Sequence, residues 1–294
     1  MSYSVIPNSS NPMAILFVVD QSGSMDDKMT CGKTKAEQVA TVINKTISEL
    51  VIASSKGETV KHYYDVGVIG YNSNGVCNAL QGPFAAQIMN PISLFESAPL
   101  RIEDRMNQVV TPTGDIVEVP QKFPVWFDPV SYGGTPMRGA MTLAAETIAA
   151  WCDAHPTSFP PVVIHITDGE SGDGDPSDVA GIIRSLSTED GNVLLCNLHV
   201  STARGASIAF PSTDDALPDE YSKMLFNMSS CMPSEMLGNI RAMLSGASVD
   251  ENSRFFTFNG DEVQIVKFIR IGTQGTQPKL AGGSVAQISY GGNR

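Results

Sequence analysis

Positive charge is scarce in this chain. Its 294 residues include 19 Lys and Arg against 31 Asp and Glu, a formal net charge of -12. Broad contact with nucleic acid or an anionic membrane needs clustered Lys and Arg, so both are disfavoured. Long hydrophobic runs are also missing: no stretch approaches the ~18 apolar residues that cross a bilayer. The opening "MSYSVIPNSSNP" lacks the basic region and apolar core of a signal peptide, so the expected location is the cytoplasm. Cysteines are few, odd in number and without a CxxC pair: Cys31, Cys77, Cys152, Cys196 and Cys231. That pattern fits free thiols in a reducing cytosol better than a disulfide frame or a zinc site. The four histidines are dispersed, and His165 and His199 fall inside apparent strands, where they read as packed side chains and not ligands.

What is present is apolar content. Hydrophobic residues make up 42% and charged residues 17%, which argues against disorder and allows one large core or two small ones. Met13 to Val19 is continuously apolar, as expected of a strand buried on both faces. Ala36, Val39, Ile43, Ile47 and Leu50 then recur at helical spacing, and "YYDVGVIGY" (Tyr63 to Tyr71) reads as a second strand. Tyr71 to Ser131 carries Gly, Pro and Asn punctuation without long periodicity. It reads as an inserted β-rich segment, about residues 72–131, with a hairpin in "QVVTPTGDIVEVP" turning at Thr113, Gly114 and Asp115.

Strand and helix alternate again after the insertion. "TPMRGAMTLAAETIAAWC" predicts a helix with Thr135 as N-cap and Pro136 at the first helical position. "PVVIHIT" and "NVLLCNLHV" are buried strands on either side of a helix in "DPSDVAGIIRSLS", itself opened by a capping residue and a Pro. One or two helices split at Pro233, a strand in "RFFTFN" and a closing helix in "GDEVQIVKFIRIG" complete the pattern. The expectation is an α/β fold: a doubly wound, mostly parallel central sheet flanked by helices, Rossmann-like in its winding. Residues 13–272 form the domain, 1–12 a flexible N-terminus, and 273–294 a flexible Gly-rich tail.

Such sheets place ligands at the carboxyl ends of their strands. Three loops there carry chemistry: "DQSGS", "YGGTPM" (Tyr132 to Met137) and "ITDGESGDGD" (Ile166 to Asp175). Asp20, Ser22, Ser24, Thr135 and Asp168 all offer oxygen, the donor a small hard divalent cation takes. Alternate residues of a loop leaving a strand can face one side, so Asp20, Ser22 and Ser24 can converge, with Gly23 allowing a tight turn and Gly133 and Gly134 a close approach of the second loop. Only two carboxylates serve the ion and hydroxyls fill other places, which leaves a position for a partner's carboxylate. Read instead as local structure, the serines form turns, Thr135 caps a helix and Asp168 sits in a turn.

The five positions in this order resemble the von Willebrand factor A domain and its metal-ion-dependent adhesion site: Asp-x-Ser-x-Ser, a distant Thr, then a distant Asp before Gly, here Gly169. The resemblance spans roughly Met13 to Gly272. "GGTPM" and the absence of a leader look most like bacterial intracellular members from tellurite-resistance and stress clusters, often beside kinases and phosphatases. The resemblance implies Mg²⁺, with Mn²⁺ or Ca²⁺ as alternatives, at Asp20, Ser22, Ser24, Thr135 and Asp168, and a protein partner supplying a Glu or Asp carboxylate. It implies a non-enzymatic interaction module. Asp26 and Asp27 are similar to the acidic pair of an adjacent calcium site in integrin β-subunits, one residue out of register; Glu170, Asp173 and Asp175 could hold a second cation or favour the following helix N-terminus. The rival is a Mg²⁺-dependent phosphatase of the haloacid-dehalogenase type, which requires a second Asp where Ser22 stands. An RNA-associated A domain would need a basic or helical-repeat portion that this chain lacks.

Overall fold

The apolar run at the head of the chain forms strand β1 (Met13–Asp20), with all eight residues buried. This is seen in a computed structural model that describes residues 2–29, 31–110, 116–201, 207–244 and 249–260. Helix α1 (Lys35–Ser54) starts at a reciprocal capping box: the Thr34 hydroxyl accepts the Glu37 N–H at 3.1 Å, and the Glu37 carboxylate accepts the Thr34 N–H at 2.8 Å. A small hairpin of β2 (Ser55–Lys56) and β3 (Thr59–Val60) returns the chain to β4 (Tyr64–Asn72), buried at all nine positions.

The region from residue 72 to 131 is built of short pieces. β5 (Gly75–Asn78) and β6 (Asn90–Pro91) both add antiparallel to β4, and α2 (Ile92–Ser97) follows. β7 (Arg101–Val110) and β8 (Ile116–Val125) then make a separate two-stranded ribbon, paired from Arg101↔Val125 to Val110↔Ile116. The expected hairpin is therefore the outer part of a longer ribbon; its turn at Thr113–Asp115 lies outside the described residues. Asn44 of α1 anchors the ribbon base, its side-chain oxygen accepting the N–H groups of Trp126 and Phe127 at 2.8 and 3.0 Å.

The alternation continues with α3 (Met137–Ala154), β9 (Val162–Thr167), α4 (Ser177–Ser185), β10 (Leu194–His199), β11 (Ile208–Ala209), α5 (Glu220–Met228), α6 (Leu237–Leu244) and β12 (Phe256–Phe258). The main sheet has the order β11-β12-β10-β9-β1-β4-β5. β12, β10, β9, β1 and β4 are mutually parallel, and β11, β5 and β6 run against them. Alternate side chains of β1 enter different cores. Met13, Ile15, Phe17 and Val19 pack with α1, α2 and α6, while Ala14, Leu16 and Val18 pack with α3, α4 and α5. This is the α/β sheet with helices on both faces that the sequence pattern predicts. The closing helix and tail from residue 261 onward fall outside the described residues.

β1 is flanked by β4 on one side and β9 on the other, so the winding reverses there. In doubly wound sheets the crevice at such a reversal, beyond the carboxyl ends, is where ligands sit. The N-terminal residues run along the opposite end. The Asp190 carboxylate, four residues before β10, accepts the Ser2 hydroxyl at 2.6 Å and the N–H groups of Ser4 and Val5 at 2.9 and 3.0 Å.

Candidate metal centre

Asp20 is the last residue of β1 and is almost fully buried, at 1% exposure. Its Oδ1 accepts the Ser22 N–H at 2.8 Å, and its Oδ2 accepts the Thr167 hydroxyl at 2.8 Å. Both donors are neutral, and no cation pairs with it among the described residues. Burial pushes its pKa up, the Ser22 and Thr167 hydrogen bonds pull it back, and the Asp168 charge raises it further. After Ser22 the chain makes a short 3-10 turn (Gly23–Asp26), which places the Ser22 and Ser24 hydroxyl oxygens 3.1 Å apart. The Ser24 hydroxyl donates to Asp168 Oδ1 at 2.9 Å. Four of the five sequence-predicted residues are thus joined through hydrogen bonds, with Asp20 at the buried floor and Ser24 at the exposed mouth.

The fifth, Thr135, arrives on a loop laced to the other two. The Gly23 N–H donates to Gly133 O at 2.8 Å, the Tyr132 N–H to Gln21 O at 2.7 Å, and the Gly172 N–H to Thr135 O at 2.7 Å. Thr135 does not cap α3, contrary to expectation. The cap position falls one residue later, at Pro136, whose ring offers no acceptor. The free N–H groups of Arg138 and Gly139 are accepted instead by the Asp173 carboxylate, at 2.9 and 2.8 Å. The Thr135 hydroxyl makes no hydrogen bond among the described residues.

The glycines divide. Gly133 has φ +65°, and a β-carbon there would stand 1.8 Å from the Ser73 hydroxyl oxygen. Gly134 and Gly23 would meet neighbours only at 3.5 Å, ordinary contact, so neither is demanded by space.

The flanking acids have structural partners. Asp27 pairs with Lys35, Asp26 accepts the Ser131 hydroxyl at 3.3 Å, and Asp175 accepts the Ser177 N–H at 2.8 Å at the start of α4. Glu170 lies near the Tyr221 hydroxyl and raises its pKa. Among the described residues no group of three or more His, Cys, Asp or Glu is gathered for a metal. His165 and His199 are buried within the sheet, as their sequence context predicts.

Two participants were not foreseen. Thr167 grips Asp20, and Lys35 of α1 lies against Asp168. Its ammonium donates to Asp168 Oδ2 at 2.8 Å, Asp27 Oδ2 at 3.2 Å and the Ser24 carbonyl at 3.2 Å. The sequence signal for Lys35 is weak: a cation in the first turn of a helix mildly opposes the helix dipole, which a nearby carboxylate offsets.

No protein-family model matches the chain, and no curated protein matches it. Solved structures of similar arrangement include proximal thread matrix protein 1 from the mussel byssus, at 11% identity and TM-score 0.48, covering 92% of this chain and 49% of that one. A second is the manganese-loaded TRAP protein of Plasmodium vivax, at 12% identity and TM-score 0.42, with 89% and 73% covered. A third is the vWF domain of the type V pili tip protein Mfa5 from Porphyromonas gingivalis, at 12% identity and TM-score 0.27, with 55% and 39% covered. The chain thus spans about half the length of the first. No helix among the described residues is long and apolar enough to cross a membrane.

Proposed function

We propose that this chain is a protein-interaction module of the von Willebrand factor A type. In this reading Asp20, Ser22, Ser24, Thr135 and Asp168 hold Mg²⁺, or Mn²⁺ or Ca²⁺ in its place, and the loaded site takes a Glu or Asp side chain from a protein partner. The observation that carries the reading is the spacing of oxygens. Neighbouring donors of an octahedron with metal–oxygen bonds of about 2.1 Å stand about 3.0 Å apart. Ser22 Oγ to Ser24 Oγ, at 3.1 Å, and Ser24 Oγ to Asp168 Oδ1, at 2.9 Å, have the length of such edges. Asp20 supports it independently. A buried carboxylate served only by neutral donors is disfavoured in its charged form, and a cation beside it relieves that penalty.

When bound, the ion would supply a positive centre for an anionic oxygen. The chain's residues do the remainder. Thr167 and the Ser22 N–H fix the Asp20 carboxylate, Asp173 holds the start of α3 and leaves the Thr135 hydroxyl uncommitted, and Ser24 lies where a ligand from solvent arrives. The neighbouring acids Glu170, Asp26 and Asp27 repel an anionic surface, so only a carboxylate that reaches the ion itself would be held. A stress-response complex containing a kinase or phosphatase is the setting that the family resemblance implies. No observation favours the phosphatase alternative, whose general acid would have to stand where Ser22 does.

Calorimetric titration of the full chain with Mg²⁺ and with Mn²⁺ tests the reading. Asp20→Ala should abolish binding with the far-UV circular dichroism unchanged, and partner capture should be lost both in this variant and in EDTA. Equal metal uptake by the wild type and Asp20→Ala would end the proposal.

A further inference from the structure

Lys35 is the one residue of the centre that a metal site would not call for. Its side chain is only 6% exposed, and that of its partner Asp168 only 5%. An ammonium has three protons. All three have acceptors here: Asp168 Oδ2, Asp27 Oδ2 and the Ser24 carbonyl. Two of these belong to residues of the five-oxygen set, so the lysine clasps the same loops the metal would clasp, from the α1 side. Asp168 is divided between the two roles, Oδ1 toward Ser24 and Oδ2 toward Lys35.

Resting on the metal-site reading above, we propose that Lys35 is a built-in cation that weakens the site's hold on the metal and strengthens the loaded site's hold on an anionic ligand. The reasoning is a charge count. Asp20 and Asp168 alone would just neutralise a divalent ion, leaving little pull on a further carboxylate. Counting the buried charges, since the Asp27 side chain is 60% exposed and screened by solvent, Lys35 paired to Asp168 brings the protein's share to one negative charge and the loaded centre is net positive. A buried positive charge hydrogen-bonded to two of the residues that would hold the ion disfavours the ion and favours the anion that follows. Lys35 also explains how two nearby carboxylates are tolerated without metal, since it holds the Asp168 loop onto the Ser24 loop.

The test uses the full chain as wild type, Lys35→Met and Lys35→Arg, with Mg²⁺ and Mn²⁺ titrated by calorimetry and acetate titrated into the metal-saturated proteins as carboxylate probe. Lys35→Met should bind metal at least about tenfold more tightly, the effect of removing one near charge of like sign. It should bind acetate more weakly, and its metal-free melting temperature should fall while metal raises it more than in the wild type. Lys35→Arg should stay close to the wild type on both titrations. Metal affinity in Lys35→Met equal to or weaker than in the wild type overturns the proposal, because the lysine would then only position Asp168. If Lys35→Met is unfolded without metal, recovery of its circular dichroism by millimolar Mg²⁺ supports the proposal and failure to recover overturns it. Absence of metal binding in the wild type removes the underlying reading itself, an outcome distinct from a wild type that binds and a Lys35→Met variant that binds no better.

Discussion

Two polar clusters lie three residues apart, one at His165 within β9 and one at Asp168 just past its end, and they are finished in different ways. Around His165 the polar groups close on themselves. His165 Nδ1–H donates to the Asn197 side-chain oxygen at 2.8 Å, so its Nε2 accepts the Tyr71 hydroxyl, also at 2.8 Å. Asn197 Nδ2 donates to the Ser229 hydroxyl at 2.9 Å, and Ser229 donates to the Leu225 carbonyl at 2.7 Å. Every member is neutral and partnered. Around Asp168 the count does not close: Asp27 and Asp168 share one ammonium, and among the described residues Asp20 has no cation and the Thr135 hydroxyl no hydrogen bond. A buried chain of neutral groups satisfied in sequence specifies a core, whereas an unbalanced set of oxygens at a crevice invites a ligand.

The largest expected effect that sharpens this contrast is on pH dependence. Burial pushes the His165 pKa down to about 4, with the Asn197 hydrogen bond acting weakly the other way. Above the ordinary histidine value of about 6.5 the group is neutral folded or unfolded and adds no slope. Between 6.5 and 4 the unfolded chain binds a proton that the folded chain refuses, so stability falls as pH falls. The accumulated loss by pH 4 is about 3 kcal/mol. Asp20, with its raised pKa, acts with the opposite sign, so the difference between wild type and His165→Gln in urea unfolding at pH 7 and pH 4.5 isolates the histidine. A variant that loses stability as steeply as the wild type would break the contrast.

A somewhat smaller effect is expected from Asn197→Ala, which strands His165 Nδ1–H in the core and takes from the Ser229 oxygen its donor, while the Ser229 hydroxyl keeps its bond to Leu225 O. Unfolding stability should fall by about 2 kcal/mol, while Mg²⁺ affinity stays that of the wild type. A shift in metal affinity would show that the two clusters are one. The smallest effect on stability belongs to Thr135→Val. With no hydrogen bond to lose, the urea midpoint should move by less than about 0.5 kcal/mol in free energy, yet Mg²⁺ binding should weaken clearly. Stability lost without loss of metal affinity would return Thr135 to a purely structural role.

Much of this was legible in the sequence because the apolar pattern is strong. Met13–Val19, Tyr63–Tyr71 and the segments around Ile164 and Leu195 are too apolar to be anything but buried strands, and their alternation with amphipathic segments dictates parallel pairing. Asp20, Ser22, Ser24 and Asp168 were visible because they interrupt that pattern at strand ends. The cap of α3 was misplaced because the acceptor that closes it, Asp173, lies 36 residues after the start of the helix, and local rules see only local acceptors. The ribbon's length was underestimated for a related reason: in Arg101 to Met106 three charged residues, Glu103 to Arg105, stand in a row and Ile102 and Met106 are exposed, so no alternation marks a strand there. Lys35 went unnoticed because a lysine beside a polar loop ordinarily points to solvent, and only the fold brings Asp168 within its reach.

The clasp of Asp190 on Ser2, Ser4 and Val5 has a practical corollary. It fastens the head of the chain at the edge of the sheet where strands begin, whereas the oxygen-lined crevice opens where they finish. A tether or label attached before Ser2 therefore emerges on the far side of the molecule, and a protein immobilised by that end displays its crevice to the surrounding solution.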